Sequence, residues 1–595
     1  MRVSDRIAEL LTESQIKDVF MVTGGGSMHL NDALSRNSKL NVINMHHEQA
    51  CSMAAEGYAK LGGTPACVNV TTGPGGINAI NGVYGAWTDS MPMVIISGQV
   101  KKETLNTNSS KLRQLGDQEN DIISMVKKIT KFSYQLKNQD YLDDVLSHAI
   151  SLSTSGRPGP VWIDVPMDIQ GAIYNPSKQK KLKNLNLYKS PKVKKGDLKY
   201  VLNKIKSSKN PAIIVGGGIR ASNSHDEFLN FINKLDIPVL TAWNAHDVIE
   251  ETHKNYVGRP GTVGDRAGNF VIETCDLLII LGSRLNIRQI GYNFKSFSPN
   301  SYKIMVDVDS EEINKKTLKI DKKLNYDLKD FLSELNKITT NLKNRNHKEY
   351  LNWSKGLAKQ YPVFNDKYAK SKLINPYYFG EVLFKALKKD DIVITSDGTA
   401  VVTTFQVAKL KKGQRLFSNS GSASMGYGLP AAIGASFCSR SSNIICIEGD
   451  GSLQMNIQEL ATVKHHKLPI KIFVFSNEGY HSIRQTQSKY FPDNIVGCGV
   501  ESGLTFPDLK FIAKAHAIEY IKISNSRNLE AITKQILSKK HAVICEVVLD
   551  KSQEFEPKAA SKLYPDGKMK SAPLYDMYPF LPQDEIKKIL ESNKR

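Results

Sequence analysis

The sequence predicts an α/β chain built from three doubly wound, parallel-sheet domains. Three observations carry this expectation. Residues 1–175, 196–340 and 376–550 each alternate short apolar runs with amphipathic segments, the pattern of sheets covered by helices. A length of 595 residues, at roughly 100–200 per domain, leaves room for about three to five domains. Apolar residues make up 41% and charged residues 23%, ordinary globular usage, so each segment can bury a core and disorder as the main state is excluded.

The elements follow in order. The first segment reads as strands at 66–70, 93–97 and 161–165. A lysine-rich, core-poor stretch at 178–195, with Pro176 and Pro191, reads as a solvated linker, the alternative being a basic docking patch. The second segment has strands at 212–215, 277–281 and 304–308. The first of these ends in Gly216-Gly217-Gly218 and the second in Gly282. Strand, glycine, helix is compatible with phosphate, and equally with a tight turn. Residues 340–375 read as a polar, helix-rich linker. The third segment has strands at 392–395, 444–448 and 471–475. It matches the first in size and pattern, so the two are expected to share a fold. Residues 551–595 form a C-terminal tail of mixed composition.

Composition excludes several functions. Lys+Arg 80 against Asp+Glu 59 gives +21, but lysine and asparagine are spread throughout, so no nucleic-acid partner is expected. Cys51, Cys67, Cys275, Cys438, Cys446, Cys498 and Cys545 lie far apart without a CxxC pair, which favours buried free thiols. Charges interrupt the apolar residues of 1–11, unlike a signal peptide, and no run approaches about 18 apolar residues. The expectation is a cytoplasmic protein without membrane contact.

The strongest chemical signal is in the third segment. Its strand at 444–448 ends in Gly449-Asp450-Gly451-Ser452, and 27 residues after Asp450 comes Asn477, just past the strand at 471–475. Two parallel strands thus deliver a carboxylate and an amide oxygen to one sheet edge, where open α/β sheets bind ligands. Such hard oxygen ligands suit Mg2+, and the glycines let amides face a diphosphate. Gly-Asp-Gly alone would leave an ordinary strand–turn–helix as the reading; the added Asn477 makes it specific. The whole resembles the signature of thiamine-diphosphate-dependent enzymes, with Ser476 where that pattern often has a second Asn. The resemblance implies Asp450, Asn477 and the Gly479 carbonyl as metal ligands. It also implies cofactor contacts at Gly398, Thr399, Gly449, Gly451, Ser452 and Gly479.

The first segment supplies a second half. His46-His47-Glu48-Gln49-Ala50 leads into the small-residue stretch 54–59, which resembles the acetolactate synthase-like family. There the Glu is the catalytic acid. Glu48 would hold a proton at N1′ of the aminopyrimidine, its carboxyl pKa raised by burial. Apart from the resemblance, Glu48 is an acid at a helix N-terminus, favoured by the dipole. Residues 71–78, with Pro74 and Asn78, resemble the loop beside the aminopyrimidine. Residues 420–432 resemble the stretch whose Ser424 and Met425 meet the cofactor, Met425 propping its bent form. Gln118, in 117–121, would face substrate. The resemblance covers about 3–550, in the order pyrimidine-binding, central and diphosphate-binding domains. It implies a site shared between two chains, hence a dimer or tetramer.

The departures bear on substrate. Thr399 and Ala400 replace a Gln-His pair, Ser482 a Met and Thr486 a Trp, while Arg484 adds a cation that either meets a carboxylate or phosphate or forms a surface salt bridge. In the central segment Arg284 and Arg288, with Asp307 and Asp309, match parts of the family's FAD site, though its acids between the arginines are lost. FAD, an ADP-type ligand and a relic pocket all remain readings. The expected function is decarboxylation of a 2-keto acid, pyruvate, with transfer of the two-carbon unit to a carbonyl acceptor. The alternatives are a larger acceptor, such as a nucleotide-linked keto sugar, or a thiamine-dependent C–C lyase or hydrolase.

Overall fold

The structure is a computed structural model and describes residues 1–106, 111–182, 188–340, 342–563 and 567–592. Part of the lysine-rich stretch, 183–187, lies outside the described residues. Three six-stranded parallel sheets follow one another along the chain, which is the expected fold class.

The first sheet comprises β1 (Asp18–Met21), β2 (Asn41–Asn44), β3 (Cys67–Val70), β4 (Met93–Gln99), β5 (Phe132–Gln135) and β6 (Pro160–Pro166). The second comprises β7 (Pro211–Val215), β8 (Val239–Thr241), β9 (Tyr256–Gly258), β10 (Leu277–Leu281), β11 (Tyr302–Asp307) and β12 (Lys322–Asn325). The third comprises β13 (Ile392–Thr395), β14 (Arg415–Phe417), β15 (Ile444–Gly449), β16 (Lys471–Ser476), β17 (Glu519–Ile523) and β18 (Val543–Val548). Their orders are β2-β1-β3-β4-β6-β5, β12-β11-β10-β7-β8-β9 and β14-β13-β15-β16-β18-β17. The first and third sheets therefore share one topology, as their matching patterns suggested. The second has the order of dinucleotide-binding domains. Central strands such as β3, β4, β6 and β10 are buried along their whole length, because helices cover both faces.

Seven helices matter below: α1 (Glu48–Gly62), α2 (Pro74–Asp89), α3 (Arg345–Gln360), α4 (Thr399–Val407), α5 (Gly428–Cys438), α6 (His481–Tyr490) and α7 (Gln583–Ser592). The first and third domains pack together through α1 and α5. A Cβ on Gly57 would stand 2.4 Å from the Ala431 carbonyl oxygen, and one on Gly434 1.8 Å from that of Ala54. Only glycine permits that approach. One apolar core then runs through both domains, from Ala54 and Val83 to Ala432 and Ile472.

One expectation about a linker is corrected. Residues 340–375 do not form a free linker: α3 buries Tyr350, Leu351, Ser354 and Leu357 along one face and joins the core of the central domain. The polar residues that made the stretch look solvated occupy its outer face. The tail is anchored on the same domain. Ile586 and Ile589 of α7 enter that core, and Arg266 donates to the Met577 carbonyl at 3.1 Å. The seven cysteines are free thiols, all but Cys438 buried. Among the described residues no helix is long and apolar enough to cross a membrane.

Candidate active site

In the third sheet, strand order reverses between β13 and β15, the place where open α/β sheets bind ligands. Residues 397–399 follow β13, residues 449–452 end β15, and residues 477–479 follow β16. The three loops are tied together. The Ser396 and Ser452 hydroxyls hydrogen-bond each other, and the Gly426 N–H donates to Ser452 Oγ at 2.8 Å. This places Met425, itself partly exposed, beside the edge. Ser424 Oγ donates to Asn81 Oδ1 at 2.8 Å. Gly398 opens α4, whose N-terminus with Thr399 faces the edge. A Cβ on Gly398 would lie 3.7 Å from Ser482 Oγ, so α6 borders the same space.

The Asp450 carboxylate accepts the N–H groups of Gly451 (2.8 Å), Asn477 (3.0 Å) and Gly479 (3.1 Å). Burial pushes its pKa up to about 6, and the backbone N–H groups oppose that rise. Asn477 Oδ1 is buried with no hydrogen-bond partner. An orphaned amide oxygen beside a desolvated carboxylate is a donor set that a hard divalent cation completes. The loop is held in an uncommon shape: Glu478 has φ +60° and Gly479 φ +110°. Arg484 does not form the surface salt bridge that was one of its two readings. Its guanidinium donates to the carbonyls of Asn477 (3.2 Å) and Glu478 rather than to a carboxylate or open solvent.

In the first domain, Glu48 opens α1, where His47 Nδ1 accepts the Gln49 N–H at 3.0 Å as N-cap. Asn78 Nδ2 donates to Glu48 Oε2 at 3.0 Å. A Cβ on Gly75 would lie 3.5 Å from Glu48 Oε1, so the carboxylate sits between the N-termini of α1 and α2. The expected deep burial of Glu48 is not found within the single chain, where the residue is partly exposed. Gln118, at φ +62°, folds over the start of α2, its carbonyl accepting from Thr72 Oγ1 at 3.1 Å. Glu48, Pro74, Asn78 and Gln118 thus share one edge. Gly398, Thr399, Ser424, Met425, the 449–452 loop, Asn477 and Gly479 share another. Among the described residues no hydrogen bond joins these two sets.

Several residues of the arrangement escaped sequence reasoning. Glu459, fully buried, accepts the His46 N–H at 3.1 Å and so ties the Glu48 segment to the third domain. Its only signal is an acid beside the apolar run of Leu460 and Val463. Asn456 Nδ2 holds the Gly426 carbonyl at 2.8 Å, and Ser396 could have been suspected from its place before Asp397-Gly398.

The central domain holds a pocket at its own reversal point, between β7 and β10. It is lined by Gly216–Gly218, Arg284, Arg288 and Asp307, with Asp89, Arg157 and Ser420 reaching in from the other domains. Arg288 lies 5.5 Å over the Trp243 ring, and the buried Trp243 Nε1 has no partner. Burial raises Asp307 to about 6. Asp309, expected in the same site, pairs at 2.8 Å with Arg157, one of the residues that line the pocket.

Comparison with known proteins agrees with this geometry. Family models described as the N-terminal TPP binding domain, the central domain and the C-terminal TPP binding domain of thiamine pyrophosphate enzymes match residues 1–124, 198–335 and 397–547. The chain is 30% identical to acetolactate synthase 3, chloroplastic, of Brassica napus, over 93% of this chain and 84% of that protein. It is 29% identical to the acetolactate synthase large subunit of Lactococcus lactis, over 95% of each. It is 28% identical to acetolactate synthase isozyme 1 large subunit of Escherichia coli, over 93% and 94%. With three TPP-enzyme domains in this order and relatives matched along nearly the whole chain, the protein belongs to the thiamine pyrophosphate enzymes, among their acetolactate synthase-like members.

Proposed function

We propose that the chain is a thiamine-diphosphate- and Mg2+-dependent enzyme that removes CO2 from pyruvate and joins the remaining two-carbon unit to a second carbonyl, as its acetolactate synthase relatives are named for. Thiamine diphosphate supplies the electron sink that makes loss of CO2 feasible. The chain's own residues do the rest. Asp450, the free Asn477 Oδ1 and the Gly479 carbonyl would hold Mg2+, and the N-terminus of α4 with the 449–452 loop would hold the diphosphate. Glu48, fixed by Asn78, would hold and return a proton at the aminopyrimidine. Met425 would support the cofactor's bent form, and Gln118 would face the keto acid.

The observation that carries this reading is the unpartnered Asn477 Oδ1 beside Asp450, three loops converging on an oxygen site. The larger-acceptor alternative loses its anion-binding arm, because Arg484 is engaged by backbone carbonyls. Two copies would complete the site. Apolar side chains stand exposed beside each half, Ile77 and Tyr84 by Glu48, and Met425, Met455 and Ile483 by the cation loop, as at a surface a partner covers. The central pocket suits FAD: two arginines for a diphosphate, Asp307 for ribose hydroxyls and a free indole N–H. A visible flavin spectrum in the purified protein tests that assignment. For the reaction itself, the chain is incubated with pyruvate, thiamine diphosphate and Mg2+ and the products are weighed. CO2 with 2-acetolactate is expected; neither product would overturn the reading.

A further inference from the structure

Arg484 lies on the first turn of α6, on the outer side of the 477–479 loop. The loop's inner side is closed by Asp450, which takes the N–H groups of Asn477 and Gly479. Its outer side presents successive carbonyls. Two of them, those of Asn477 and Glu478, are taken by the fork of Arg484. The Glu478 side chain turns away to Lys551, at 2.6 Å, so only its backbone serves the loop. Gly499 makes room for the guanidinium: a Cβ there would stand 3.3 Å from Arg484 Nη2 and 2.6 Å from the Glu478 carbonyl oxygen. Among the described residues Arg484 has no carboxylate partner. Two consecutive residues at positive φ do not keep that shape without restraint, and a planar fork is the side chain best suited to gripping two adjacent carbonyls.

Resting on the cation site proposed above, we infer that Arg484 is the positioning residue of the cation loop. By holding the Asn477 and Glu478 carbonyls it aims Asn477 Oδ1 and the Gly479 carbonyl at the metal, and it sets cation affinity instead of meeting a substrate anion. Residues that orient metal ligands typically change affinity by about 10–100-fold when removed.

The test titrates Mg2+ by calorimetry into the full chain in saturating thiamine diphosphate, for wild type, Arg484→Met and Arg484→Lys. The Mg2+ midpoint should rise about tenfold or more in Arg484→Met. Arg484→Lys should fall between, because an ammonium reaches one carbonyl and cannot fork two. Amide hydrogen exchange at 477–479 should quicken in the metal-free variants. Wild-type midpoints and exchange in both variants would overturn the inference. So would a raised keto-acid KM with the Mg2+ midpoint unmoved, which would assign Arg484 to substrate. Should Arg484→Met fail to fold, Arg484→Lys carries the same comparison. If the wild type takes up no Mg2+ with the cofactor, the functional reading itself fails and this inference falls with it.

Discussion

The first and third domains run six strands in one order, yet their reversal points carry opposite chemistry. In the third domain the three loops there bring Asp397, Asp450 and Asn477, and an amide oxygen is left free. In the first domain the corresponding loops bring glycines and the hydroxyls of Thr71 and Thr72, Thr71 Oγ1 accepting the Gly26 N–H at 3.1 Å. The first domain's acid comes instead from α1, as Glu48. On the proposed function, one scaffold used twice would separate two tasks: holding a charged diphosphate with its cation, and handling a proton at an aromatic base. Shared topology fixes where the ligand lies, and the loops decide what it is.

The comparison can be broken from either side. Asp450→Ala should abolish retention of thiamine diphosphate, because the remaining loop has lost both its carboxylate and the acceptor that shapes residues 477–479. Calorimetry showing wild-type affinity would contradict the division of tasks. Glu48→Gln should bind cofactor normally and exchange its C2 proton about 10²–10⁴-fold more slowly, read by NMR of H/D exchange. A variant that loses binding instead would mean that the first domain also anchors the cofactor.

Two smaller effects sharpen the picture. Gly434→Val should destabilise the α1–α5 seam by about 1–3 kcal/mol or more, since its Cβ would meet the Ala54 carbonyl. A chemical-denaturation midpoint equal to wild type would show that the two domains do not pack this closely. The smallest concerns pH. Asp164 on β6 is buried, and desolvation raises it to about 6 despite hydrogen bonds from Ser97, Gln99 and Gln135. A raised acid favours its protonated form in the fold. Its contribution is full below the unfolded value near 3.8 and is lost as pH rises through about 6. Asp164→Asn should therefore flatten the metal-free protein's stability between pH 4 and 6 by about 2–3 kcal/mol. A slope there equal to wild type would show that this residue does not titrate on unfolding.

How much was legible in the sequence follows the same physics. The strands read from it, at 66–70, 93–97, 277–281 and 444–448 among others, lie in sheet interiors, where burial on both faces leaves an unbroken apolar run. Edge strands such as β2, β5, β12 and β17 are half exposed and carry no such run. The buried strand β18 was missed because Glu546 interrupts it, and β1 because it is only four residues long and opens on Asp18. Helix α3 looked like a linker because five buried positions on one face do not offset its charged composition. Contiguous motifs were readable in the site: residues 449–452 and 477–479 do converge on one edge. The grip of Arg484 on two carbonyls was not, because its partners are backbone atoms that no side-chain pattern announces. Nor was Glu459, whose bond to His46 spans 413 residues.

Subunit complementation tests most directly the claim that each chain carries both halves but completes neither site alone. Glu48→Gln and Asp450→Ala chains, each inactive, are unfolded, mixed in equal amounts and refolded together. In a dimer whose sites pair Glu48 of one chain with Asp450 of the other, each hybrid holds one intact site, and about a quarter of wild-type activity should return from random assortment. A mixture as inactive as its parents, although hybrid dimers are present by mass, would contradict the account.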